Sequence, residues 1–383
     1  MRIGIVGASA SGIYLALLLK QNNPSFHVVL LDQESRLGKK LFATGNGRCN
    51  LLHDSPSPMA FDHPEIVESA LKRYTFPTLL NLFHKWGIPL AKEGDLYYPA
   101  SFSAPTFVSC LQSLLKEAGI EVSLSSKVFD YRTSQEGVTL ISSQGELTLD
   151  YVVFASGGKS GKNLGSDGSL FSVFQKHGYH IQSLRPGLCP VKTKERYPSL
   201  AGIRVDGSLT ISIGDQTFEE EGQVLFKKDG LSGIVTFNAE TFLARNCAPK
   251  GTPIILSLFP QYSETELASV IHSCLAHPHG LLGLFPKALA DCFSSSSPEE
   301  LARKMKHWVF HYEEAYPFAD SQVTIGGVSF QNIDPVYLNS LIEPRVSFVG
   351  EVLDMSGNCG GYNLTWCLLS ALMAEEGIHE ILR

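Results

Sequence analysis

Apolar positions gather at the start of the chain and set its first elements. Residues 2–6 read Arg-Ile-Gly-Ile-Val, a short run suited to a buried strand, and "GASASG" follows at Gly7 to Gly12. Then comes the apolar run Ile13–Leu19, and after a polar gap a second run, His27–Leu31, which stops at Asp32. Strand, turn of small residues, apolar helix and second strand make a β-α-β unit. Residues 64–86 carry apolar positions at helical spacing, with Pro77 as a break or kink. Residues 105–118 predict an amphipathic helix that ends near Gly119, with a strand after it. Residues 128–154 alternate as strands around turns at Glu136-Gly137 and Gln144-Gly145, and a further glycine turn lies at Gly157-Gly158.

The pattern changes between residues 185 and 321. Leu209–Thr241 reads as antiparallel strands, and Ser263–Tyr312 reads as helical, with capping signals at "SETE" and "SPEE". The serine run at 294–297 reads as a linker between helices. Val346–Ile378 predicts a strand, a glycine-rich loop and a final helix. The N-terminal unit and this last strand-loop-helix belong to one doubly wound sheet, with the middle inserted as a separately folded part.

Met1-Arg2 before an apolar run imitates a secretion signal. The single charge, the lack of a small-x-small cleavage site after Leu19, and the breaks at Gly7, Ser9, Ser11 and Gly12 argue against a signal or a membrane span. Eight cysteines without regular spacing, and no C-x-x-C, point to free thiols in a reducing cytoplasm. His272, Cys274, His277 and His279 match no standard zinc spacing, so that stretch reads as a polar turn and no metal is expected. A net charge of -7 with scattered charges gives no footprint for nucleic acid. The densest basic runs, Lys192–Arg196 and Arg303–His307, read as solvated faces.

The turn at Gly7 to Gly12 is compared with the dinucleotide fingerprint. There the first glycine makes a tight turn, the second admits the pyrophosphate, and the third lets helix and strand pack closely. Gly7 and Gly12 fill the first and third places, and Ser9 stands at the second. Serine is small, and its hydroxyl can donate to a phosphate, but the glycine role predicts that Ser9→Gly leaves a nucleotide bound at least as tightly. Asp32 follows Gly12 by 20 residues, where the fingerprint places an acid for a ribose diol. By themselves these residues fit either a dinucleotide turn or any β-α-β turn built of small residues. Arg36–Leu51, with Gly38, Gly45 and Gly47, is too rich in glycine for a good helix and allows close backbone contact with a ligand.

Six further stretches carry a resemblance: "GKKLFATGNGRCN" (38–50), "ASGGKS" (155–160), "LRPGLCPV" (184–191), "VLFKKDGLSG" (224–233), "SQVTIGGVS" (321–329) and "FVGEVLDMSGNCGGYNL" (348–364). They are similar to those of the NAD(P)/FAD-dependent oxidoreductases that include aminoacetone oxidase and the bile-acid-inducible flavoprotein. The resemblance implies an α/β fold, a doubly wound, glutathione-reductase-like Rossmann domain for FAD over residues 1–184 and 322–383. An inserted β-rich subdomain (185–260) and a helical subdomain (261–321) complete it.

The resemblance implies that Gly7, Ala8, Ser9, Ala10, Ser11 and Gly12 hold the FAD pyrophosphate and that Asp32 holds the adenosine ribose. It places Thr44, Gly45, Gly47, Arg48, Cys49 and Asn50 along the ribityl chain and flavin, and Gly350 and Glu351 near the ribityl-pyrophosphate. Gly360, Gly361, Tyr362 and Asn363 fall at the flavin's pyrimidine edge. Ala155, Gly157 and Gly158 face the FAD, and Lys40 and Val128 complete the cofactor set. Two departures stand out: Ser9 replaces the usual glycine, and Asp32 the more common glutamate.

Flavin carries the redox chemistry, so no side chain need be a nucleophile. Tyr362 is a candidate donor near the ring, Cys49 a candidate redox thiol, and Lys159 a candidate charge near flavin or substrate. Only one dinucleotide unit is present, so NADPH or NADH would act as a transient donor without its own domain. The leading reading is a reductase that saturates an activated double bond of a small molecule. Alternatives are an aminoacetone-like amine oxidase producing peroxide, a ribosomal RNA uridine reductase, and a non-catalytic flavin-binding protein.

Overall fold

The computed structural model describes residues 1–293 and 297–381; the serine run at 294–296, expected to be a linker, lies outside the described residues. Two compact units result, one formed by residues 1–185 with residues 323 onward, the other by Pro186–Gln322.

The first unit is built on five parallel strands in the order Val346–Phe348, Tyr151–Phe154, Arg2–Val6, His27–Leu31, Glu121–Ser123. Both faces of the inner strands are covered, so Ile3, Ile5, Val152, Val153 and Leu30 are fully buried and the runs read as continuously apolar. Helix Ala10–Asn22 packs against helix Tyr362–Ile381. Each is buried over most of its circumference, which explains the unbroken apolar run Ile13–Leu19.

The region 64–86 is two helices, Pro64–Arg73 and Phe76–Lys85. The break falls at Tyr74-Thr75, and Pro77 sits in the first turn of the second helix, where a missing N–H costs nothing. Helix Ala104–Glu117 starts at Ser103, whose hydroxyl accepts from Thr106 N. Three antiparallel strands follow at Val128–Thr133, Val138–Ser142 and Gly145–Leu149. Between the first strands and these lies a short-turned stretch, Lys39–Gly47, broken by non-helical Thr44, Gly45 and Asn46.

The second unit is a closed antiparallel barrel of Val191–Thr193, Gly230–Ser232, Gln216–Lys227, Arg204–Ile213, Pro253–Leu258 and Trp308–Ala315. Two expectations are corrected here. Ile234–Arg245 is a helix, where strands were expected through Thr241. Gly233, at φ 103°, ends the preceding strand, and Val235, Ala239 and Leu243 then repeat at helical spacing onto the barrel. Trp308–Ala315 is a strand, where helix was expected. Its alternating burial, with Trp308 and Phe310 inside and Val309 outside, has the period of a sheet.

That strand closes the barrel, and helices Glu264–Leu275 and Pro298–Lys306 share its core through Leu267, Ile271, Leu301 and Met305. Residues 186–322 therefore form one unit, not a β-rich and a helical subdomain divided at 260/261. Both helices start as their sequences predict: Ser263 and Glu266 form a reciprocal capping box, and Ser297 accepts from Glu300 N. No described helix is long and apolar enough to cross a membrane.

Candidate functional site

Strand Arg2–Val6 runs into Gly7 at φ 118°. A Cβ there would stand 2.2 Å from Ala155 O, and one at Gly12 would stand 1.9 Å from Gly7 O. Both obstacles are backbone, so neither position admits a side chain. They perform the turn and close-packing roles expected of them. Ser9 is the N-cap of helix Ala10–Asn22 at φ −113°, an ordinary extended conformation, and its side chain makes no cap hydrogen bond. Asp32 closes the turn from the other side. Its Oδ2 accepts from Ala8 N at 2.6 Å and its Oδ1 from Glu34 N at 2.8 Å. Burial lifts this carboxyl above the usual range, while the two amides pull it back.

Gly7 and Asp32 border a cleft of about 480 Å³, its open mouth included, with Ser126, Val128, Gly157 and Asp167 among its walls. Ser126 Oγ is buried there without a hydrogen-bond partner. An orphaned hydroxyl beside a carboxylate, flanked by the apolar Val6, Leu31 and Phe171, fits the ribose and base of an adenosine. The residues present thus suit the dinucleotide end of FAD.

A second cluster joins distant segments. Lys40 Nζ pairs with Glu351 Oε2 at 2.6 Å, both side chains largely withdrawn from solvent. Glu351 Oε1 accepts from Thr324 N at 2.8 Å, and Thr324 Oγ1 accepts from Lys159 N at 2.7 Å and Ser160 N at 3.0 Å. The turn Gly157–Ser160 is thereby strapped down, and a Cβ at Gly158 would lie 2.3 Å from Thr324 Oγ1. Gly350, at φ 76°, approaches Ser11 so closely that a Cβ would lie 2.5 Å from the serine Oγ. Its N–H donates to Ser370 Oγ and its carbonyl accepts from Trp366 Nε1. The structure therefore brings Ser11, Lys40, Gly158, Gly350 and Glu351 together. Thr324 and Ser126 were missed by sequence; the only signal for Thr324 was its place in "SQVTIGGVS".

The loop before the last helix holds itself. Asn363 Oδ1 accepts from Gly357 N at 2.9 Å, and its Nδ2 donates to Gly357 O at 2.8 Å. That side chain shapes the loop, leaving backbone groups to meet a ligand. Gly360 and Gly361 both have positive φ, and a Cβ at Gly361 would crowd Leu52 C at 3.0 Å. The Tyr362 ring stacks on His53 at 4.6 Å and meets Phe61 edge-on at 5.6 Å.

In the 44–50 loop, Cys49 N donates to Thr44 O, and a Cβ at Gly45 would lie 2.9 Å from Asn50 N. Gly47 has φ 81°, and a Cβ there would meet Phe42 O only at 4.0 Å. Cys49 is fully buried, and burial pushes its thiol up to about 11. A reactive thiolate needs the opposite shift, which favours a packing role. The Arg48 guanidinium bonds both Glu93 oxygens and lies over the Tyr98 and Phe102 rings at 4.5 and 4.8 Å. It is committed to the hairpin of Leu90–Pro99. Lys159 is an exposed side chain on the strapped turn.

Among the described residues no three His, Cys, Asp or Glu are placed to hold a metal, and all eight cysteines are free thiols.

A model of the HI0933-like protein Rossmann domain matches residues 1–377. The chain belongs to the HI0933-like family. Its members are FAD-dependent flavoprotein oxidoreductases, and the resemblance carried by the six motifs is confirmed. This HI0933-like chain is 28% identical to the 3-dehydro-bile acid delta(4,6)-reductase of Clostridium scindens, over 99% of each chain. It is 26% identical to the ribosomal RNA dihydrouridine synthase of Escherichia coli, over 98% of this chain and 97% of the other. Among solved structures, 3-ketosteroid delta1-dehydrogenase from Sterolibacterium denitrificans superposes with a TM-score of 0.54 at 9% identity, covering 99% of each chain. At that identity the likeness is one of fold.

Proposed function

We propose that this HI0933-like flavoprotein accepts hydride from NADPH or NADH and reduces an electron-poor carbon–carbon double bond, conjugated to a carbonyl, in a small molecule. The end-to-end similarity to a bile-acid double-bond reductase suggests the reaction class. One observation favours a small molecule over RNA: in each basic run two of the three lysines and arginines are paired with acids. Lys192 pairs with Glu314 at 2.7 Å, Arg196 with Glu313, Lys304 with Glu300 at 3.0 Å and Arg303 with Glu264 at 3.5 Å. With a net charge of -7 and these four cations paired, the two basic runs make a poor track for phosphates.

FAD supplies the hydride chemistry when bound. The turn Gly7–Gly12 and the start of helix Ala10–Asn22 would hold its pyrophosphate, and Asp32 with Ser126 its ribose. The Lys40–Glu351 pair fixes the Gly157–Ser160 turn through Thr324. Amides after Gly360-Gly361, at the start of helix Tyr362–Ile381, would favour negative charge on the flavin's pyrimidine edge.

The test is an anaerobic visible spectrum. NADPH or NADH should bleach the flavin, and a 3-oxo-4-ene steroid should restore its colour as the alkene is saturated. A flavin bleached by nucleotide that only a ribosomal RNA transcript reoxidises would replace this reading with uridine reduction. Reduction by aminoacetone, with peroxide formed on admitting air, would replace it with amine oxidation.

A further inference from the structure

We infer that the Ser9 hydroxyl is a phosphate ligand of the bound dinucleotide, and that Asp32 makes it necessary by withdrawing the Ala8 amide from the turn. This rests on the reading that Gly7–Gly12 holds FAD.

Three observations carry it. The Ala8 N–H is held by Asp32 Oδ2 at 2.6 Å, and the same carboxylate is fixed from its other oxygen by Glu34 N at 2.8 Å. That amide is not available to an incoming phosphate. Ser9 occupies an N-cap, where serine usually accepts from an amide one turn on, yet its side chain makes no such bond and its φ of −113° needs no glycine. The helix has no acidic residue in its first turn and no side-chain cap bond at Ser9. Independently, Ser126 Oγ, on a side chain 1% exposed, lies without a partner in the cleft that Gly7 and Asp32 line, which points to a ligand seated there. The Ser9 O–H donates to a phosphate oxygen in place of the withdrawn amide. Serine at the middle position and the short acid at the ribose position are then one paired adaptation. The expectation that glycine at position 9 binds as well is reversed.

The experiment is FAD titration of apoprotein, read by flavin fluorescence and by the FAD-induced rise in melting temperature. Ser9→Gly and Ser9→Ala should each weaken FAD about tenfold, the loss of one hydrogen bond to a charged group, while Ser9→Thr should keep the affinity. Melting of the apoproteins should be unchanged in Ser9→Ala, because the hydroxyl has no internal partner. In an Asp32→Glu background, where the longer side chain no longer holds Ala8 N, Ser9→Gly should cost less than about twofold. Equal or tighter binding by Ser9→Gly with Asp32 in place, or an additive cycle, overturns the inference and leaves the FAD reading intact. A wild-type apoprotein that takes up no FAD overturns both.

Discussion

Glu351 in the nucleotide unit and Glu240 in the barrel unit are both acids taken out of water, and they are treated in opposite ways. Glu351 has a lysine on one oxygen and a backbone amide on the other. Glu240 is fully buried in helix Ile234–Arg245, and neither of its oxygens has a hydrogen-bond partner. Burial pushes it up to about 8, and the nearby Leu188 and Cys189 amides, short of hydrogen-bonding geometry, pull it back only in part. An interior carboxyl must be matched by charge or carry its proton. Glu351, paired with Lys40, holds Thr324 and, through it, the glycine turn. Glu240 is kept neutral at physiological pH and serves as packing.

The sharpest way to break this contrast is to vary pH. Between about pH 4.5 and 8, folded Glu240 holds a proton that the unfolded chain releases. Stability should therefore fall as pH rises through that window and level off above it. Glu240→Gln should remove this slope and exceed wild type at pH 9 by on the order of 5 kcal/mol, measured by urea unfolding. A flat wild-type profile would show that Glu240 is ionised in the fold.

Lys40→Met should act in the other direction and destabilise the fold. It strands a carboxylate that is only partly wetted, for a loss of about 2 kcal/mol in the apoprotein. Lys40→Met with Glu351→Gln should recover most of it, and a double-mutant cycle by urea unfolding tests this. Thr324→Val removes the acceptor from two amides, and about 1.5 kcal/mol should be lost in the same assay. Lys304→Ala, at an exposed pair, should change stability by less than about 0.5 kcal/mol. A larger change there would mean that the barrel unit also relies on charge.

Much of this was legible from the chain, where the signal is local. The β-α-β unit follows from two apolar runs and a small-residue turn, and the Ser263 and Ser297 caps from their spacing to glutamate. Ile234–Arg245 was misread because Val235 and Thr236 favour a strand on their own, and only packing on the barrel selects the helix. Trp308–Ala315 follows helical sequence without a glycine or proline, so its period-two pattern was hidden by what precedes it. Thr324, Ser126 and Glu240 could not be found. A hydroxyl that collects two amides from residues 159 and 160, or an acid that ends without a partner, looks like any solvated residue until distant segments meet. Motif membership also says less than it suggests about side chains. Asn363 secures its own loop, and Arg48 is turned onto Glu93.

The order of strands has a consequence for how the protein is made. Tyr151–Phe154 is paired on one side by Arg2–Val6, but its other neighbour, Val346–Phe348, is synthesised only after the whole barrel. Until then the ribosome presents a sheet with a bare edge, and helix Ala10–Asn22 lacks the helix that covers it, which invites aggregation and chaperone capture. Lys40 waits for Glu351 across 311 residues. The sheet of the nucleotide unit is therefore completed only after the barrel has been made, and Gly350 and Glu351 reach Ser11 and Lys40 no earlier than that.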